Sequence, residues 1–175
     1  MILTDNRDIE IDFTNAIDGF VFDQMDKRLP KFHGLARMRR VDLIVDMPDY
    51  VAYIEIKDPE HPKAQKRDVE KLLKKLEEGT LAISFANKLI DSFVYGWAER
   101  KAEKPIRYYS LVTLDNELVV HLSDEIEKIL PPLGVPITRW KRAFIEHCQV
   151  FNLHLWNECF PDWPARRISA SGASK

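Results

Sequence analysis

The chain has 175 residues, of which 45% are hydrophobic and 31% charged, and its formal net charge is −2. This length suits one compact domain, and no apolar run approaches the roughly 20 residues that cross a bilayer. Cys148 and Cys159 are too few for a disulfide framework. We therefore expect a cytoplasmic protein that does not associate with membranes. The near-neutral charge argues against a protein that merely coats DNA.

The first half of the chain predicts a helix followed by a hairpin. Apolar residues at helical spacing predict a helix over residues 13–28, which Pro30 ends. Segments 40–46 and 50–57 have the composition of β-strands. Met47-Pro48-Asp49 between them is typical of a turn, so the two strands are expected to pair as a hairpin.

The second half predicts mainly helices around one further strand. The predicted helices cover residues 68–78, 81–101, a segment from a Ser123 cap toward Leu130, and 138–158, and the predicted strands cover 106–114 and, as a short partner, 117–121. This order predicts an α/β (or α+β) fold with a central mixed sheet and flanking helices. We expect a single domain over residues 1–168, followed by a short polar tail at 169–175.

Three charged residues stand out on the otherwise apolar hairpin: Asp42, Glu55 and Lys57. Side chains alternate across a strand, so Glu55 and Lys57 point to the same face. Asp42 shares that face if the loop between the strands has an even number of residues. A two-residue loop places it diagonal to Glu55, and a four-residue loop over 47–50 places it directly opposite. An odd loop points it the other way.

Two carboxylates and an ammonium group on one strand face favour a metal site. Burying unpaired charges costs several kcal/mol per ion, so these groups need partners. Mg²⁺ prefers oxygen ligands and is typically held by one or two carboxylates, waters and substrate phosphate. The alternative is a surface salt bridge in which Lys57 pairs with one of the carboxylates.

The spacing of Asp42, twelve intervening residues and then Glu55-Ile56-Lys57 resembles the Asp…Glu-x-Lys signature of the PD-(D/E)XK (restriction-endonuclease-like) nuclease superfamily. The resemblance covers residues 12–115, with Val41 where the family name has Pro. It implies a restriction-endonuclease-like core and a Mg²⁺- or Mn²⁺-dependent nuclease that hydrolyses phosphodiester bonds, with DNA as the expected substrate.

The resemblance also implies roles for individual residues. Asp42, Glu55 and the Ile56 carbonyl would hold the metal ion, and Lys57 would act on the attacking water or on the phosphate. Many members carry a further acidic residue on the first helix. The step Ala16-Ile17-Asp18 resembles that position, which makes Asp18 a further metal-ligand candidate ahead of Asp12 and Asp23.

Basic residues lie on both sides of the hairpin. Arg39 and Arg40 precede it, and Lys63 and Arg67 follow it. Such a concentration in a slightly acidic chain is expected to guide a nucleic-acid backbone to the site. The alternative is a solvated helix face, which we expect for Lys74 and Lys75.

Two further expectations concern partners. Symmetric cleavage of a duplex is most simply achieved by a two-fold pair, so we expect a homodimer with Trp156 and Trp163 at its interface. The alternative function is a catalytically inactive nuclease-like fold that binds nucleic acid or a protein. A cation between Asp42 and Glu55 would support the enzyme, and a Lys57 ammonium in that space would support the binding module.

Overall fold

The computed structural model describes residues 1–5, 9–29, 31–34, 37–99 and 103–168. In this part of the chain the elements are β1 (Ile2–Thr4), β2 (Ile9–Asp12), β3 (Asp18–Val21), β4 (Leu43–Asp46), β5 (Val51–Lys57), α1 (Lys66–Glu77), α2 (Thr80–Ala98), β6 (Ile106–Val112), α3 (Asn116–Ile129), β7 (His147–Phe151), α4 (Leu153–Cys159) and β8 (Ala165–Arg167). A central sheet has the order β3-β4-β5-β6-β7, and a smaller sheet has the order β1-β2-β8. The expected fold class, a mixed sheet with flanking helices, is confirmed.

The predicted hairpin forms the middle of the central sheet. β4 and β5 pair antiparallel, with Leu43 opposite Ile54 and Asp46 opposite Val51. The loop between them therefore has four residues, which is the even number that the site requires. Helices α1 and α2 then carry the chain back across the sheet, and β6 pairs with β5 in parallel.

Both faces of the central sheet are covered. Helices α1, α2 and α3 pack on the face that carries Tyr53. The small sheet and α4 pack on the opposite face, where Ile54 and Ile56 are fully buried. Because side chains alternate along β5, Glu55 and Lys57 share the face of Tyr53. The charged residues of the hairpin therefore face the helices.

The helix predicted over residues 13–28 is wrong. A turn with Asn15 at a φ of 65° is followed by strand β3, which pairs with the outer edge of β4. The apolar residues that suggested one helical face are divided between two cores. Phe13 and Val21 pack on the side of the small sheet, and Phe20 packs on the side of the helices. Pro30, expected to end that helix, lies outside the described residues.

The strand predicted over residues 117–121 is also wrong, because these residues belong to α3. The helix begins earlier than expected: the Asp115 carboxylate accepts a hydrogen bond from Leu118 N at 2.9 Å and caps it. Ser123, the predicted cap, lies inside the helix. The Asp115 cap therefore starts a helix at a mixed apolar and polar run whose composition also suits a strand.

The long helix predicted over residues 138–158 is replaced by strand β7 and the short helix α4. Cys148 pairs with Tyr108 of β6, and Val150 and Phe151 are buried on the two faces of the sheet. Asn152 then caps α4 by accepting from Leu155 N at 2.9 Å. Parallel pairing with a central strand overrides the local helical pattern.

Three other expectations concern the chain as a whole. Trp156 and Trp163 are buried in the core, and the Trp156 indole donates to the Trp163 carbonyl at 2.7 Å, so their assignment to a dimer interface is wrong. The homodimer itself stays a prediction. No helix in the described ranges is long and apolar enough to cross a membrane. The tail at 169–175 and the last two residues of the helix predicted over 81–101 lie outside the described residues.

Candidate metal centre

Asp42 and Glu55 lie at the open end of the hairpin, away from the loop that joins β4 to β5. One residue beyond the Leu43–Ile54 pair, the register brings Asp42 opposite Glu55. The Asp42 carboxylate accepts a hydrogen bond from Ile56 N at 2.6 Å, which fixes it against β5. The Asp42 side chain is 15% exposed, whereas that of Glu55 is fully buried.

Lys57 completes the predicted set. Its Nζ lies 2.5 Å from Glu55 Oε1 and donates to the Ile56 carbonyl at 3.1 Å. The structure thus brings together Asp42, Glu55, Lys57 and the Ile56 carbonyl, as the resemblance requires of a metal centre and its lysine.

Sequence reasoning missed a second lysine in this cluster. Lys88 of α2 donates to both carboxylate oxygens of Glu55, at 2.6 and 2.7 Å. Its Nζ also lies 3.9 Å from Asp42 Oδ1. One signal could have found it: Lys88 stands three residues after Phe85 and four before Ser92, both buried, so it interrupts the inward stripe of the helix.

The electrostatics of the cluster follow from its burial. Burial raises the pKa of Glu55 above the ordinary carboxyl value, and the neighbouring charge of Asp42 raises it further, while Lys57 and Lys88 oppose both effects. Burial lowers the pKa of Lys88, but the charges of Glu55 and Asp42 outweigh it and leave that pKa raised. Lys88 therefore keeps its proton, and its ammonium group is the counter-ion of the two carboxylates in this structure.

Asp23 and Arg40 border the cluster. Asp23 N donates to the Asp42 carbonyl at 3.4 Å, and Arg40 Nε donates to Asp23 Oδ1 at 3.0 Å. The Arg40 side chain is only 12% exposed, so it braces this edge of the site and offers little surface to a nucleic acid. Arg39 is exposed, and its backbone N–H donates to Asp91 Oδ2 at 2.8 Å.

Asp18 lies apart from the centre. It pairs with Asp46 in the β3–β4 ladder, four residues along β4 from Asp42, which corresponds to roughly 13 Å. Its carboxylate is exposed and binds Lys31 Nζ at 2.8 and 2.9 Å. The structure therefore does not bring Asp18 to the other candidates. Asp12 belongs to the small sheet, and Asp23 is the sequence candidate that lies nearest the cluster.

A basic cleft opens beside Lys57. This cavity of about 650 Å³ lies between the end of β5, α1 and α2, and lysines of the loop and of α1 line it together with Asp58 and Asp68. These lysines are Lys63, Lys71 and Lys75. Lys75 lines the cleft and is itself exposed, as expected of a solvated helix face, while Arg67 lies outside the lining with a side chain 75% exposed.

The donor set can be tested against the expected metal ion. Within the described ranges, no three acidic, histidine or cysteine side chains converge as metal ligands. Two carboxylates and a backbone carbonyl remain, from Asp42, Glu55 and Ile56. All are hard oxygen donors, and Mg²⁺ commonly binds through one or two carboxylates and keeps several waters. The residues present fit Mg²⁺ or Mn²⁺ in this mode.

Comparison with known proteins adds no relative. No protein-family model matches the chain, and neither a curated protein nor a solved structure matches it. The chemistry of the site is therefore the basis on which a function is inferred.

Proposed function

We propose that this protein is a Mg²⁺- or Mn²⁺-dependent phosphodiesterase of the PD-(D/E)XK type that acts on nucleic acid, with DNA as the expected substrate. One observation carries the proposal. Asp42, Glu55 and Lys57 converge at the end of β5, at the point where the basic cleft opens. Strand residues that provide two carboxylates and an amine beside a basic cavity suit the hydrolysis of a polyanion.

Each residue has a definite task in this proposal. A divalent cation, when bound, lowers the pKa of a coordinated water and stabilises charge on the phosphate. Asp42, Glu55 and the Ile56 carbonyl hold it. Lys57 lies within hydrogen-bonding reach of Glu55 and of the Ile56 carbonyl, so it can orient or deprotonate the attacking water, or stabilise the charge that develops on the phosphate.

The basic cleft provides the path of the substrate. Besides Lys57, three lysines line this cleft: Lys63, Lys71 and Lys75. Phosphate contacts of this kind give affinity and position the backbone without reading sequence. A chain with a net charge of −2 can therefore still attract a nucleic acid at this one place.

A second candidate function is a nucleic-acid-binding module that does not cut. The position of Lys88 favours it, because this ammonium group binds both oxygens of Glu55 and lies near Asp42. Two carboxylates neutralised by lysines are stable without a metal ion. In this alternative the basic cleft binds the backbone, and the cluster only stabilises the fold.

A cleavage assay distinguishes the two candidates. Duplex, single-stranded and junction DNA and RNA are incubated with the protein in Mg²⁺, Mn²⁺ or EDTA, and an Asp42→Asn/Glu55→Gln double variant serves as the matched control. If the protein is a phosphodiesterase, we expect wild type to cleave with Mg²⁺ or Mn²⁺ but not with EDTA. The control variant should not cleave under any of these conditions. Absence of cleavage, with equal DNA binding in metal and in EDTA, supports the binding module.

A further inference from the structure

The position of Lys88 coincides with the space that a shared metal ion requires. Its Nζ lies 2.6 and 2.7 Å from the two oxygens of Glu55 and 3.9 Å from Asp42 Oδ1. A Mg²⁺ ion bound to the same carboxylates would lie about 2.0–2.1 Å from its ligand oxygens. The ammonium group and the ion therefore compete for the same volume.

The charges around the centre are balanced while Lys88 stays in place. Three acidic and three basic side chains form the cluster: Asp23, Asp42 and Glu55 with Arg40, Lys57 and Lys88. A divalent cation added to this set would leave an excess of two positive charges around a fully buried Glu55. Repulsion between close positive charges is strong away from bulk water. Expulsion of one ammonium group relieves it.

Lys88 has a route out of the centre. The structure leaves 17% of its side chain exposed, and lysine has a long and flexible stem. Asp23 is close enough to raise the pKa of Lys88 and is one-third exposed, so it offers a place for the displaced ammonium group. Lys57, in contrast, is held by a second acceptor, the Ile56 carbonyl.

We propose that Lys88 is a built-in counter-ion that occupies the cation position between Asp42 and Glu55 and leaves it when a divalent metal ion binds. This inference rests on the proposed metal centre. In the metal-free protein, Lys88 compensates the buried charge of Glu55 and keeps the fold stable. Its displacement weakens metal binding, so the centre fills only when the metal concentration is sufficient.

Calorimetric titration with Mn²⁺ tests the competition. Lys88→Met keeps the length of the side chain and removes its charge. Because a positive charge that competes directly with the metal ion is then lost, we expect Mn²⁺ affinity to rise about tenfold or more. The melting temperature in EDTA should fall, because Glu55 loses a partner. Lys128→Met is the control, since Lys128 is exposed and pairs with Glu125 at 2.7 Å.

Each outcome of this titration has a distinct meaning. Mn²⁺ binding by Lys88→Met that is tighter than that of wild type, or that occurs in the variant alone, supports the inference. Equal or weaker binding by the variant overturns it and leaves the metal centre standing. Absence of binding in both proteins overturns the inference and the metal-dependent function together.

A measurement on wild type does not depend on the folding of any variant. The protein is treated briefly with an amine-modifying reagent, with and without saturating Mn²⁺, and modification of each lysine is read by mass spectrometry. Displacement predicts that Mn²⁺ increases modification of Lys88 several-fold while Lys128 stays unchanged. Unchanged modification of Lys88 at full metal occupancy contradicts the inference.

Discussion

Arg167 holds both carboxylate oxygens of Asp58, with Nε donating to Oδ2 at 2.7 Å and Nη2 donating to Oδ1 at 2.6 Å. Asp58 directly follows Lys57, and its side chain is fully buried. The Thr113 hydroxyl donates to the same carboxylate at 2.6 Å. Strand β8 is therefore tied to the end of β5 that carries the candidate metal centre.

This anchor predicts unequal effects for two neighbouring arginines. Arg167→Ala should lower the free energy of unfolding by about 3–5 kcal/mol, because it leaves the Asp58 carboxylate buried without its counter-ion. Arg166→Ala should change it little, since Arg166 is 73% exposed and its pair with Glu10 is a surface one. Urea denaturation measures both. A double variant Asp58→Asn/Arg167→Ala should recover part of the loss, and equal losses for the two arginines would contradict the anchor.

The proposed enzyme predicts that Lys57 and Asp42 differ in their effect on metal binding. Lys57→Ala should still bind the metal ion while turnover falls by roughly 10²-fold or more, since a positioned acid–base or charge-stabilising group is lost. Asp42→Asn removes a ligand charge, so Mn²⁺ affinity and turnover should fall together. Calorimetry and single-turnover cleavage give the two quantities. If both variants cleave as wild type does, the activity lies at another site.

The basic cleft predicts which lysines contact phosphate. The double variant Lys71→Ala/Lys75→Ala should weaken DNA binding. The slope of the logarithm of the binding constant against the logarithm of the salt concentration should become shallower by roughly 2, because each lost phosphate contact removes about one released counterion. Lys63→Ala should act in the same direction with about half the change in slope. Arg67→Ala is the matched control, since Arg67 is on the same helix as Lys71 but outside the cleft. Fluorescence anisotropy at several salt concentrations measures the slopes, and an Arg67 effect equal to that of Lys71 and Lys75 would argue against this path.

The two cysteines should differ in reactivity. Burial raises the pKa of the Cys148 thiol to about 12, whereas Cys159 is exposed. A thiolate is the reactive form, so a thiol reagent at pH 8 should modify Cys159 quickly and Cys148 only after unfolding. Cys159→Ser should therefore show no rapid reaction in the native state. A fast second reaction in native wild type would show that β7 opens readily.

His33 predicts a component of acid sensitivity. Burial lowers the pKa of this imidazole, and the positive charge of Arg40 lowers it further. Between that lowered pKa and the ordinary value of about 6.5, the unfolded chain binds the proton more readily than the folded protein does. Stability should therefore fall as the pH drops through this window. His33→Phe keeps a ring beside Phe22 and Phe32, and it should show a weaker fall in urea midpoint between pH 7 and 5.

The local pattern of the hairpin was readable from the sequence. The alternation along residues 51–57 places Glu55 and Lys57 on one face, whereas the face of Asp42 depends on the length of the loop, which the sequence leaves open. The structure has the four-residue loop, with Asp42 opposite Glu55. Helices α1 and α2 and strand β6 were also predicted close to their observed bounds. These features depend on neighbours within about one turn or one strand, which periodicity and turn residues report directly.

Strands β3 and β7 were decided by tertiary structure. Each has local spacing that favours a helix, yet each pairs with a strand far away in the chain: Phe20 with Ile44, and Cys148 with Tyr108. This pairing provides hydrogen-bond partners for the backbone groups at the edges of β4 and β6. The free energy of that pairing is a property of the assembled sheet and leaves little trace in a short window of sequence.

The place of Lys88 was likewise decided by the packing of α2. Along the chain it stands 33 residues from Glu55, within an ordinary helical segment. Docking of that helix on the sheet brings the Lys88 ammonium group to Glu55 and close to Asp42. The sequence by itself determined that Glu55 and Lys57 share a strand face, and the observed four-residue loop added Asp42 to it. Only the tertiary structure decided that a second lysine balances them, because a buried charge takes its partner from whichever element packs above it.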